Sequence, residues 1–262
     1  MSRKQLKTNT HAISTLVIAL IIIIVVGSVV AVVISAVLLG FWKPFGHVAG
    51  SGTLDTEEKD FTDFTIVEVG WGFEVDIGQA DSYSINIMAD DNMFGYIEVS
   101  QTGDTLTIGL KWGYSYQDVI LRAEITMPDL YELKLSGGTH GTVEGFTSSH
   151  EYAVDLSGGS YLSGDFTTSE DAQFTLSGGS HLIGLDGAAN DLTISASGGS
   201  HLDLSDFPVH DTTVNLGGGS HATVNLDGRL DGDVSGGSHL KYTGNPTTID
   251  VNTSGGSTIG PQ

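Results

Sequence analysis

The chain has 262 residues, no cysteine and a formal net charge of −22. That length allows one substantial domain plus an anchor. Structural disulfides and thiolate chemistry are excluded. With no basic patch to meet a phosphate backbone, nucleic acid is excluded as a partner.

Residues 1–12 carry Arg3, Lys4 and Lys7 and read as a short cytoplasmic N-terminus, because positive charge before an apolar run holds that side inside. Residues 13–39 are 27 positions without a charge, rich in Ile, Val, Leu and Ala. As a helix they would reach about 40 Å, more than the roughly 30 Å hydrocarbon core, and we expect one transmembrane helix. The run is too long for a cleaved secretory signal, and Val37-Leu38-Leu39 is a poor small-residue cleavage site. His11-Ala12-Ile13-Ser14-Thr15 looks like an archaeal pilin-type processing site, with His11 in place of the usual basic residue. Whether the N-terminus is processed stays open.

Phe41 and Trp42 suit the far interface, and residues 40–52 read as a tether. All 32 acidic residues follow position 43, against six basic ones, a net charge of −26 for this extracytoplasmic part. Such a surface favours solubility and attracts cations. Residues 53–135 contain irregular stretches of β-type alternation, from Thr65 to Ile77 and on to Val119–Met127, and are expected to cap the domain that follows.

Residues 136–262 are organised by SGGSH. It stands at Ser177–His181, Ser197–His201 and Ser235–His239, with variants beginning at Ser136, Ser157, Gly217 and Ser254. The steps between these starts are 21, 20, 20, 20, 18 and 19 residues. A period of about 20 means one small unit stacked into a solenoid. In Gln173–Leu182, Phe174, Leu176 and Leu182 share one parity and Thr175, Ser177 and His181 the other, which is strand periodicity. Ser180 and Gly178 then face inward, while Ser177, Gly179 and His181 face outward. The unit leaves no room for a helix, and a β-propeller blade needs about 40 residues. The expected fold is all-β: a parallel β-helix, right-handed as parallel crossovers are, preceded by the transmembrane helix. The second glycine of each copy (Gly138, Gly159, Gly179, Gly199, Gly219, Gly237 and Gly256) is expected to mark a bend needing positive φ or close backbone approach. Val67–Val75 has the same outline, with Gly72 in the place of Gly179, and reads as a degenerate first coil.

In chain order, Gly50-Ser51-Gly52, Glu57-Glu58, Phe64-Thr65-Ile66, Glu74–Ile77, Ala89–Asn92, Thr105–Ile108, Met127–Leu130 and the Ser-Gly repeats follow one another. This succession resembles the auto-transporter adhesin head domain called the GIN domain, over roughly 50–260. The resemblance implies a β-helical, extracytoplasmic, adhesin-like domain and carries no catalytic residues with it. The second glycine and the frequent His depart from the family's usual repeat.

His140, His181, His201, His221 and His239, with Tyr161, recur at one outward position. In stacked coils they form a column with neighbours about 4.8 Å apart. Three readings stay open: an aromatic ladder, a Zn or Cu site on His181, His201, His221 and His239, or a pH-sensing stack. The acidic exterior attracts Ca²⁺ weakly, without the nine-residue repeat or EF-hand loop of a dedicated site. Asp155, Asp203, Asp206 and Asp211 are the carboxylates a polysaccharide-cleaving β-helix could pair, but they read as turn and surface residues.

The expected function is therefore non-catalytic: a single-pass membrane protein presenting an adhesin-like or envelope-structural β-helix outside the cell. A metal- or ligand-binding exterior module is the alternative. Expected partners are the membrane through 13–39, an unknown surface protein or glycan, and another copy of the chain.

Overall fold

The computed structural model describes residues 46–262, and the run read as a transmembrane helix lies outside them. Among the described residues no helix is long and apolar enough to cross a membrane. Residues His47–Gln262 form one compact unit.

The lead-in comprises β1 (Gly46–Ala49), β2 (Leu54–Glu58), β3 (Ile66–Val69), β4 (Glu74–Gln79), β5 (Ser84–Asp90), a 3-10 turn (Asp91–Met93), β6 (Ile97–Thr102), β7 (Thr105–Leu110), β8 (Tyr114–Gln117) and β9 (Leu121–Met127). Strand pairs then repeat: β10 (Glu132–Leu135) with β11 (His140–Ser148), β12 (Tyr152–Leu156) with β13 (Tyr161–Thr168), and β14 (Ala172–Leu176) with β15 (His181–Ala188). They continue as β16 (Leu192–Ala196) with β17 (His201–Val209), β18 (Thr212–Leu216) with β19 (His221–Leu226), β20 (Arg229–Val234) with β21 (His239–Gly244), and β22 (Thr248–Thr253) with β23 (Thr258–Pro261). Each of these seven pairs is one coil, so six full turns separate the first SGGS copy from the last. Even-numbered strands from β10 to β22 pair in parallel in one sheet and odd-numbered strands from β11 to β23 in the other.

Alternation decides what fills the space between the sheets. In the first sheet Leu133, Val154, Phe174, Ile194 and Val214 lie in register, as do Leu135, Leu156, Leu176, Ala196 and Leu216. Leu162, Leu182, Leu202, Ala222 and Leu240 face them from the second sheet. All are buried. A one-residue slip would turn each of these ladders outward, so burial fixes the register. From β11 to β19 the second-sheet strands are longer than their partners, and the sheet carries bulges between Val143 and Phe146, Leu162 and Gly164, and Leu204 and Pro208. The last bulge delivers Phe207 into the core, 5.7 Å from Phe174 between ring centroids.

Val67–Val75 does form a coil, with Val67 and Val69 under Leu133 and Leu135, and Val75 under Gly141. It is not the first layer of the stack. β7 lies on the other side of β3, and β9 on the other side of β4, both parallel. After β1 and β2, the chain builds the second layer with β3 and β4, drops back to build the layer beneath, then passes over to the third. Antiparallel β6 covers the edge of β7, and β5 with β2 covers that of β9, which blunts an otherwise open edge. Residues 46–49, inside the stretch read as tether, are strand β1 and lie in a two-stranded sheet with β8. Buried Asp90 ties this region together, accepting from the backbone N–H of Gly52 (2.7 Å) and Ile120 (2.8 Å). Those two bonds hold its carboxyl below the usual range.

Candidate functional site

Two corners join the sheets within each coil. The first is SGGS. Its two glycines have φ of +63 to +68° and +77 to +81° in all seven copies, the successive positive angles of a type I′ turn. The inner hydroxyl of Thr139, Ser160, Ser180, Ser200, Ser220 or Ser238 is fully buried and donates to the carbonyl three residues earlier at 2.7–2.8 Å. The corner thus satisfies its own buried polar groups. The expected special glycine was the second. A Cβ there would meet nothing within 4 Å, whereas one on the first glycine would stand 2.9–3.2 Å from the backbone of the corner beneath. Both need positive φ; the close approach belongs to the first. In the β3–β4 coil Trp71 takes that place with φ +69°.

The outward column begins where the corner ends. Residues paired in register across the second sheet are Arg122, Glu74, His140, Tyr161, His181, His201, His221, His239 and Thr258. The structure brings all four His of the expected metal set together, as consecutive rungs. Ring centroids are 6.1 Å apart for His181–His201, 6.0 Å for His201–His221 and 4.8 Å for His221–His239. The planes are tilted by 34–48°, so the rings are not a flat stack. A 4.8 Å rung spacing exceeds ring van der Waals contact, and tilting lets neighbours touch. His140 lies 5.9 Å from Tyr161, and Arg122 pairs with Glu74 at 2.8 Å. Burial, then the neighbouring His181 and His221, hold His201 below the usual imidazole range, with Asp203 acting the other way. Among the described residues, no group of three or more His, Cys, Asp or Glu is arranged to hold a metal ion.

The aspartate ladder of the second corner escaped the sequence reading, although Asp227-Gly228 and Gly244-Asn245-Pro246 mark turns there. Asp171 accepts from the Nδ2 of Asn190 (2.9 Å) and the N–H of Asp191 (3.2 Å). Asp191 accepts from the N–H of Asp211 (3.0 Å), and Asp211 from the N–H of Arg229. Each carboxylate satisfies a donor of the next coil. The available signal was that Asp171, Asp191 and Asp211 also recur at steps of 20, each just before a strand. His210 sits here, and its hydrogen bond with Asp227 (2.8 Å), followed by the charge of Asp211, raises its pKa. Of the four carboxylates considered for catalysis, Asp155 lies on β12, Asp203 and Asp206 on β17, and Asp211 in this corner.

The matching family model covers residues 63–246 and is described as "putative auto-transporter adhesin, head GIN domain". The chain belongs to this GIN-domain family. Solved structures share the fold. A "putative adhesin" from Bacteroides fragilis superposes with a TM-score of 0.74 at 18% identity, covering 82% of this chain and all of that one. A "putative lipid binding protein" from Parabacteroides distasonis gives 0.67 at 16%, covering 82% and 99%. A "putative adhesin" from Parabacteroides merdae gives 0.63 at 18%, covering 83% and 99%. At such identities the likeness is one of fold. No functionally curated protein matches the chain.

Proposed function

We propose that residues 46–262 are the surface-presented head of a single-pass membrane protein, anchored through 13–39 with its N-terminus in the cytoplasm. The head acts without catalysis, attaching the cell to a surface protein or glycan. The observation that carries this is the stack itself: consecutive coils present the same outward residue on four rungs, His181 to His239, a surface suited to a repetitive ligand, on the fold of proteins named as adhesins. Two further features agree with anchoring. Only six residues separate Leu39 from β1, so a membrane-crossing run leaves the head near the bilayer. The partner strand of β1 carries Tyr114 and Tyr116, which pack with Tyr96. Such rings are at home where lipid meets water.

The cysteine-free chain allows a clean test. In intact cells a membrane-impermeant maleimide should label Gln262→Cys, an exposed position, and leave Ser2→Cys unlabelled; labelling of Ser2→Cys alone overturns the orientation. A glycan array and a cell-attachment assay, comparing strains with and without the chain, test attachment. Equal attachment together with an empty array would overturn that part.

A further inference from the structure

Four imidazoles on consecutive rungs of a parallel sheet form three overlapping pairs. A transition-metal ion holds imidazole nitrogen at about 2.0–2.1 Å, so two ligands on one ion have nitrogens roughly 3–4 Å apart. Rings with centroids 4.8–6.1 Å apart reach that separation by rotating about their own side-chain torsions, with no movement of the backbone. His221 and His239 are already closest, at 4.8 Å. The Nδ1 of His239 is engaged by the hydroxyl of Thr258 at 2.7 Å. This orients the ring and leaves Nε2 as the ligand, the role outer groups play at metal sites. The partners are borderline-soft nitrogens on an accessible face, which suits Cu(II) or Zn(II) over Ca²⁺ or Mg²⁺. The negative field of the acidic exterior raises the local cation concentration.

We infer that the His column is a linear chelator in which any two adjacent rungs bind one Cu(II) or Zn(II) ion, so that His181, His201, His221 and His239 together hold two. The sites are two-coordinate from the protein, with water or an external ligand completing the shell. His140 is cut off from the column by Tyr161.

Adjacency, rather than the number of His, is what the arrangement predicts. Three double variants each remove two imidazoles. His181→Ala/His201→Ala keeps the adjacent pair His221 and His239. His201→Ala/His239→Ala and His181→Ala/His221→Ala leave their two rings separated by an empty rung, about 9.6 Å apart. The full chain in detergent would be titrated calorimetrically with Cu(II) alone and Zn(II) alone. Electron paramagnetic resonance of the copper would count coordinated nitrogens. Wild type should take up two ions at the column and the adjacent-pair variant one, with two imidazole nitrogens per copper. The two alternating variants should bind about tenfold or more weakly. His11, His47, His140, His150 and His210 are present in all four proteins, so binding there cancels. Equal loss in all three double variants, or no loss in any, would overturn the inference. Metal-free melting curves check folding, and His→Gln versions replace any variant that fails to fold.

Discussion

The two corners of each coil solve one problem by different means. At the glycine corner, backbone stacks on backbone and each inner hydroxyl donates within its own turn, with Ser238 and Ser257 also accepting from the coil beneath. At the aspartate corner, side chains reach the next coil. The first recurs seven times with the same four positions. The strand leading into the second takes up changes of length: β17 bulges between Leu204 and Pro208, and β19 is three residues shorter than β17. Within the seven copies, a corner defined by exclusion of side chains keeps its two glycines, whereas one defined by a hydrogen bond needs only an acceptor within reach.

The largest expected effect breaks the phase between corners. Deleting Ser177–Ala196 joins Leu176 to Ser197. Since Leu176 and Ala196 are register partners, the junction reproduces the native one, and a folded protein one coil shorter is expected. Deleting Ser177–Asp186 removes one corner and half a coil, so the next strand arrives at the wrong sheet. Circular dichroism should show loss of the cooperative transition in this variant only.

Next come the glycines. Gly198→Ala places a Cβ 2.9 Å from the backbone nitrogen of Gly178 and also keeps φ at +68°. Gly199→Ala meets the unfavourable φ alone. We expect losses of about 3 and about 1 kcal/mol respectively, the second being the ordinary left-handed penalty. Equal denaturation midpoints would mean that the corners do not stack closely.

At the aspartate corner Asp191→Ala leaves the Asp211 N–H without its acceptor. A loss of about 2 kcal/mol is expected, as for a hydrogen bond to a charged group. Asp191→Asn, which keeps an acceptor oxygen, should recover part of it in the same urea titration.

The smallest effect separates the corners by pH. His201 has a lowered folded pKa, so its contribution is intact above the unfolded value of about 6.5 and is lost as pH falls through the folded one. His210 has a raised folded pKa, so its contribution is present below about 6.5 and lost as pH rises through the folded value. Melting temperatures between pH 5 and 8 should therefore decline less on acidification in His201→Gln than in wild type, and more in His210→Gln. Parallel profiles for the two variants would contradict this.

What the sequence made legible was whatever repeats. The period, the inward Ser180, the outward His column and the likeness of Val67–Val75 to a coil all follow from side-chain parity at a fixed step. The layer beneath that coil was not legible. Thr105–Leu110 and Leu121–Met127 carry ordinary strand alternation, and nothing local says that they pair under β3 and β4 rather than after them. Pairing order is a long-range property. The preference for the first glycine was hidden too, because both glycines repeat equally and only the neighbouring corner distinguishes them. The aspartate ladder was obscured by abundance: with 32 acidic residues, three in phase look like surface.

Because the strands lie across the stack, the hydrogen bonds between coils run along its axis. Tension applied between the β1 end and Gln262 would therefore load these bonds along their own length, one rung at a time, as in opening a zipper. Each coil released adds about 20 residues, roughly 65–70 Å of extended chain. Under load the head becomes a shock absorber that lengthens in equal steps, and its stroke is set by how many copies of a 20-residue unit the chain contains.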